Sequence, residues 1–293
     1  MAQQTSIDTS SSSAAEPYWL GRASDEQKRL LAQHKIWTHS IGYLLHPSVS
    51  SNLPNDARIA DIGTGTGIWP VEMSQASPST YTFHGFDISS EQFLPADSLP
   101  SNVTLGHGDF FEPFPAELQG TFDLVNVRLI IISLGGLEVW QRVLRNIATL
   151  LKPGGALCWT EGNFLVARGF RGEAAGSSPG HHLTAGQVQL NSTLVKRFGY
   201  SFPSFTRLFE EAGLQRVEED VLSTDRLAEQ RGAFTDLGIG AVFGGLKNLA
   251  KVKEEGYWDE SEVQRRRELA QGDRESGAYL RWDIHVGVGF KAA

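Results

Sequence analysis

The chain has 293 residues, 40% hydrophobic and 20% charged, with seven Trp and sixteen Phe, which fits a folded globular protein and excludes a fibrous or wholly disordered one. Its net charge of -8 at pH 7 leaves no surplus of Lys and Arg to neutralise a run of phosphates, so a nucleic-acid partner is not expected. The single cysteine, Cys158, excludes an internal disulfide and a cysteine-based metal cluster, and fits a reducing compartment.

Residues 1–16 are polar and Ser-rich, the composition of a disordered tail, with neither the basic start nor the apolar stretch of a signal peptide. No segment approaches the roughly 20 consecutive apolar residues of a membrane helix. A cytoplasmic protein without a membrane partner is expected, with the nucleus left open. Structure is expected from Tyr18 onward. Ser24 and Gln27 have the spacing of a capping box, and Leu30, His34, Trp37 and Ile41 then recur on one face of an amphipathic helix.

From residue 57 the pattern changes to short apolar strands alternating with helices, which predicts a parallel sheet covered on both faces. Strands are read at 58–62, 81–88, 103–106, 122–127 and 156–161. Between the last two, Leu137, Trp140, Leu144, Ile147 and Leu151 form the buried stripe of a helix that Lys152-Pro153-Gly154-Gly155 ends. A further helix is read at 205–212, followed by strands at 214–222 and 281–290, which makes seven strands. Two long stretches, 162–201 and 223–278, interrupt the regularity with helical patterns. Long connections beside strand C-terminal ends commonly carry function, so these are read as a lid over the crevice of the sheet.

The most informative segment is Ile59-Ala60-Asp61-Ile62-Gly63-Thr64-Gly65-Thr66-Gly67-Ile68-Trp69. A strand runs into glycines at every second position and then into a helix, so backbone amides can approach a ligand unobstructed. This is not the dinucleotide fingerprint, whose third glycine would fall on Ile68. Asp61 suits a ligand ammonium, and Asp87, at the end of the second strand, can accept both hydrogens of a ribose diol. Gly108-Asp109-Phe110-Phe111, after the third strand, offers an acceptor for an amino group and an aromatic face. Three acids at three successive strand ends point to a nucleoside-bearing ligand.

The order of these motifs, with Phe122-Asp123-Leu124-Val125 and Leu151-Lys152-Pro153-Gly154-Gly155, resembles the class I methyltransferases that use S-adenosylmethionine (SAM). More narrowly, Tyr18-Trp19-Leu20, residues 26–34, residues 61–69 and Val125-Asn126-Val127-Arg128 resemble the fungal secondary-metabolism branch that includes the LaeA-like proteins. The resemblance covers residues 17–160 and fades beyond them. In that branch a His often stands at the position of Asn126 and a Trp near Phe111, so the chain departs there. The resemblance implies an α/β, Rossmann-like, mostly parallel seven-stranded sheet with the last strand antiparallel and helical insertions forming a lid. It also implies four regions: a disordered tail at 1–16, a helical segment covering the active site at 17–56, a SAM-binding core at 57–161, and at 162–293 the rest of the sheet with its substrate-binding insertions. For the cofactor it implies methionine contacts at Asp61, Gly63 and Gly65, ribose contact at Asp87, adenine contacts at Asp109 and Phe110, and pocket-floor roles for Asn126 and Arg128. Tyr18, Thr64, Gly67 and Ile88 complete the set.

Methyl transfer from a sulfonium is an in-line displacement, so much of its rate can come from positioning, and a dry pocket does not oppose a step in which the sulfonium charge is lost. A hydroxyl or ammonium acceptor must still give up a proton. The candidate bases are Glu161, at the end of the fifth strand, His34, on the first helix, and His181 and His182, in the first insertion. Arg128 follows a buried strand, where a guanidinium needs either a carboxylate partner or an anionic ligand group. No ligand set with metal spacing is legible. The expected function is methylation of an O or N atom of a small molecule, by a monomer or homodimer. Two alternatives share these motifs: a pericyclase or cyclase that keeps SAM as a fixed charge, and a LaeA-like regulatory protein. The long insertions favour a closed small-molecule site over the regulator.

Overall fold

The structure, a computed structural model, describes residues 24–251 and 257–293. Tyr18 and the tail at 1–16 lie outside the described residues. The first helix, α1, spans Ser24–Ile41, and a short α2 spans Pro47–Ser50. Gln27, the far end of the expected capping box, donates its amide to the backbone carbonyls of Gln92 and Phe93, which ties α1 to the loop after the second strand.

The strands are β1 Arg58–Ile62, β2 Thr82–Asp87, β3 Val103–His107, β4 Phe122–Arg128, β5 Leu151–Phe170, β6 Leu214–Ser223 and β7 Tyr279–Lys291, and among the described residues they form one sheet in the order β3-β2-β1-β4-β5-β7-β6. The first five are parallel, and β7 runs antiparallel between β5 and β6. β1 and β4 are central, and most of their residues are buried, as in strands covered on both faces. The sheet carries α3 Ile68–Ala76, α4 Leu137–Ala148, α5 His181–Phe198, α6 Phe205–Glu211, α7 Arg231–Ala250 and α8 Glu260–Glu275. One core, with Trp37, Phe83, Phe234 and Trp282, lies between the sheet and α1, α3 and α7, and the other, with Trp140, Trp159, Phe205 and Phe209, lies between the sheet and α4 and α6.

Three sequence expectations are corrected. The stripe of α4 buries Trp140, Leu144 and Ile147, but Leu137 is 44% exposed because it opens the helix at its free end, and Leu151 already belongs to β5. Lys152-Pro153-Gly154-Gly155 lies inside β5 as an irregularity in its pairing with β4 rather than as a break before the strand. The fifth strand does not stop at Glu161. It continues to Phe170 because the first half of β7 pairs with it, with a register shift between Asn163 and Arg168.

The two long insertions fold as α5 and as the pair α7 and α8. Asp273 of α8 accepts the amides of His182 and Leu183, satisfying the free N–H groups that open α5. α5 and α7 approach closely at Gly186, where a Cβ would stand 2.7 Å from the ring of Phe243. No helix among the described residues is long and apolar enough to cross a membrane.

Candidate active site

One cavity of about 400 Å³ lies over the C-terminal ends of β1, β2, β3 and β4, roofed by α1, α5 and α7. Its floor is the turn between β1 and α3. Gly63, Gly65 and Gly67 all have positive φ (68°, 59° and 80°), a conformation that L side chains resist, so the turn needs its glycines. A Cβ on Gly63 would also stand 2.6 Å from Ile130. Gly63, Thr64 and Gly65 line the cavity, whereas Gly67 does not. Gly67 is the residue before α3, packed so that a Cβ would meet Leu105 at 2.5 Å, and its role is to let the turn close.

The three strand-end acids converge on this cavity. Asp61 is 4% exposed; Thr64 Oγ1 donates to it at 2.6 Å and Asn126 Nδ2 at 2.7 Å. Burial pushes its carboxyl up to about 6, against those two hydrogen bonds and the nearby Arg128 charge. Asp87 accepts the Gly65 amide at 2.8 Å and the Ser89 amide at 3.2 Å, fixing the glycine turn against the end of β2. Asp109 accepts the Phe111 amide at 2.8 Å, and the Phe110 and Phe111 rings sit 4.7 Å apart beside it. Ile88, half exposed, also borders the cavity.

Asn126, expected on the pocket floor, is 1% exposed and does not line the cavity. It stands behind Asp61, because β1 and β4 pair Asp61 directly with Asn126 and turn the amide onto the carboxylate. Arg128, two residues on, does reach the cavity wall, and burial lowers its proton affinity while Asp61 raises it.

Of the four candidate bases only His34 borders the cavity. Its ring is 3% exposed, with Nε2 2.9 Å from Glu72 Oε2 and Nδ1 3.2 Å from an Arg128 nitrogen. Burial and then the Arg128 charge lower its pKa, and Glu72 opposes them. Glu161 is fully buried and lines no part of the cavity. Its Oε1 accepts the Ile130 amide at 2.8 Å and the Trp159 indole N–H at 3.1 Å, so it braces the loop after β4 from behind. Burial pushes its carboxyl up to about 8. In that loop Leu129 has a φ of 58°, a strained value for a branched side chain, and residues 129–133 line the cavity. His181 and His182 open α5 away from the cavity, where the carboxylate of Asp273 engages the backbone of His182.

Sequence reasoning read both insertions as a lid but named none of the residues that line the cavity from them. Gln187, Leu190, Asn191 and Leu194 of α5 and Leu237, Gly238, Ala241, Val242 and Gly245 of α7 line the half of the cavity farther from the acids, with Phe164 and Trp282. Both sets recur at the i, i+3, i+4, i+7 spacing of one helix face, which was the signal available. Asn191 donates to the carbonyls of Phe164 and Leu165 and accepts from Gln187, so the amides brace α5 against the extension of β5.

Residues 37–219 match the family model described as a methyltransferase domain. The chain is 34% identical over 154 residues to the N-methyltransferase tcpN of Claviceps purpurea, 52% of this chain and 54% of that protein. It is 33% identical over 219 residues to the N-methyltransferase gliN of Aspergillus fumigatus, 70% of each. The chain spans about half the length of the first of these relatives. In fold it is similar to the Haemonchus contortus phosphoethanolamine N-methyltransferase 2, whose structure is a complex with phosphomonomethylethanolamine and S-adenosylhomocysteine, with a TM-score of 0.50 and 14% identity over 94% of this chain and 59% of that chain.

Proposed function

The chain belongs to the methyltransferase-domain family, and from that footing we propose that it binds SAM at the strand ends and methylates an N or O atom of a small secondary metabolite held under α5 and α7. The observation that carries this reading is the shared cavity: three strand-end carboxylates and an open glycine turn on one side, two helix stripes of mostly apolar or small residues on the other. Its volume of about 400 Å³ lies within the range of ligand sites, roughly 300–1,000 Å³. When bound, SAM supplies an electrophilic methyl group on a positively charged sulfur.

The residues fit that group. Asp61, held by Thr64 and Asn126, suits the ammonium of the amino-acid end, with Gly63, Thr64 and Gly65 offering backbone at close approach. Asp87 suits the ribose hydroxyls, and Asp109, with Phe110 and Ile88, suits the adenine. Arg128, in the same wall, suits an anionic group, and His34 is the base candidate that borders the cavity. The apolar roof excludes water and orients the acceptor, which supports a positioning mechanism. Two relatives named as N-methyltransferases support a nitrogen acceptor.

Calorimetry with SAM, followed by mass spectrometry of fungal extracts incubated with the protein and methyl-labelled SAM, tests the reading. The expected result is binding, release of S-adenosylhomocysteine and a product heavier by one methyl group. Absence of SAM binding by the folded protein would refute it, and binding without any S-adenosylhomocysteine would leave SAM as a fixed charge, as in a pericyclase.

A further inference from the structure

Three side chains from three elements form a chain along one wall of the cavity. Arg128, at the end of β4, has a guanidinium nitrogen 3.2 Å from His34 Nδ1, and His34 Nε2 is 2.9 Å from Glu72 Oε2 on α3. A guanidinium can only donate, so Nδ1 is the nitrogen with the lone pair and Nε2 carries the hydrogen donated to Glu72. His34 is 3% exposed, while the Glu72 side chain is 33% exposed, so the ring joins the cavity wall to a carboxylate that solvent reaches. The charged groups acting on the ring are Arg128, Glu72 and Lys35 of its own helix.

Arg128 is underused where it stands. Among the described residues His34 is the hydrogen-bond partner of its guanidinium, and no carboxylate lies within ion-pair distance of it. A guanidinium in a cavity wall with most of its five N–H donors unspent suits a planar carboxylate, which it can bind through two parallel hydrogen bonds. Taking such a ligand would pull it from His34 Nδ1 and cancel the charge that depresses the imidazole.

We propose that Glu72 is a positioning residue that, through His34, builds a proton acceptor into the cavity wall, and that Arg128 caps this acceptor until a ligand carboxylate draws the guanidinium away. The proposal rests on the methyltransferase reading for its chemistry. With Arg128 in this place the His34 lone pair is covered. With the carboxylate bound, Nδ1 faces the cavity and Glu72 holds Nε2–H, stabilising the imidazolium that forms. An acceptor N–H or O–H then gives its proton to Nδ1, the acceptor lone pair bonds to the methyl carbon, and the carbon–sulfur pair leaves with the sulfur. When product leaves, Nδ1 gives the proton to water, which restores the Nε2–H tautomer held by Glu72. The carboxylate has two possible sources, the amino-acid end of the cofactor and the acceptor itself.

Nuclear magnetic resonance of protein labelled with ¹⁵N-histidine reads the tautomer and titration of His34 directly, the signal being assigned by its loss in His34→Asn. The free protein is expected to show the Nε2–H tautomer and to titrate below the ordinary 6.5. Adding S-adenosylhomocysteine, which carries a carboxylate, should raise the proton affinity of His34 at least about tenfold, and decarboxylated SAM should not. If benzoate alone raises it and S-adenosylhomocysteine does not, the acceptor is the source of the carboxylate. Glu72→Gln should lower the proton affinity of His34 in both the free and the ligand-bound protein, and Glu72→Asp restore it, with thermal unfolding of both variants matching the parent as the check on folding. An Nδ1–H tautomer in the free protein, a titration unchanged by Glu72→Gln, or no response to either carboxylate probe would overturn the proposal. A failure of the methyltransferase reading looks different, because it removes cofactor binding and leaves the tautomer and the Glu72→Gln titration in the free protein as they were.

Discussion

The floor and the roof of the cavity are built on different principles. On the floor every acid is held by a short hydrogen bond to a neighbouring strand or turn: Asp61 by Thr64 and Asn126, Asp87 by the Gly65 amide, Asp109 by the Phe111 amide. In the roof, the residues of α5 and α7 that face the cavity are mostly apolar or small, and the amides that do occur there are spent on bracing the helices. A hydrogen-bonded floor fixes one ligand in one pose. A roof of stacked helix faces can change its shape by exchanging single side chains and leave the floor intact. The difference predicts that floor substitutions cost cofactor binding and stability, whereas roof substitutions cost acceptor turnover alone.

Asp61→Ala is the harshest test of the floor. It leaves the Thr64 hydroxyl and the Asn126 amide without their buried acceptor and removes a counter-charge from Arg128. Stability in urea should fall by about 2–4 kcal/mol, and SAM binding should be lost in calorimetry. A variant as stable as the parent would mean that the floor is not locked by these bonds. Next in size is Asp87→Ala, which is less buried and removes the acceptor of the Gly65 amide. It should fold and weaken SAM binding by about 1–3 kcal/mol, the loss of charge-assisted hydrogen bonds. Unchanged affinity would remove the ribose role.

The roof is probed by Ala241→Phe, which pushes a ring into the apolar half of the cavity from α7. Methyl transfer to the acceptor identified by labelling should fall about tenfold or more, roughly the cost of overfilling a packed site, while the dissociation constant for SAM stays within about twofold. If cofactor binding collapses in parallel, floor and roof are one unit and the contrast between them fails.

The same contrast explains what the sequence made legible. Asp61, Asp87 and Asp109 could be found because strand ends and a glycine turn pin them to one edge of the sheet, and the seven strands could be found from their apolar runs. Gln187 and Ala241 could not be assigned, since a helical stripe says that a face is covered without saying by what, and only the docking of α5 on α8 and α7 turns those faces over the acids. Asn126 and Glu161 sit in strands beside the site, and the pleat decides whether such a residue faces the ligand or supports one that does. Both support: Asn126 holds Asp61, and Glu161 holds the loop that closes the cavity. His181 and His182 were drawn by residue type alone, and the start of α5 lies away from the cavity.

Glu161 stands at the seam between the two regions and gives the most specific effect, one that depends on pH. Its carboxyl is pushed up from 4.5 to about 8 by burial, so the folded protein holds this proton more tightly than the unfolded chain does. A group of this kind contributes stability that is fully present below pH 4.5 and is lost progressively as pH rises through about 8. Glu161→Gln keeps an oxygen to accept from the Ile130 amide and the Trp159 indole but has no charge to bury. Urea denaturation at pH 5 should find the variant and the parent close in stability, and at pH 8.5 the variant should be the more stable by on the order of a few kcal/mol. Because the loop it braces carries the strained Leu129 and borders the cavity, the parent should also lose SAM affinity over the same pH range if ionisation of Glu161 loosens the seam. Stability curves that stay parallel from pH 5 to 8.5 would show that Glu161 keeps an ordinary carboxylate's proton affinity, and that the brace between floor and roof does not depend on its protonation.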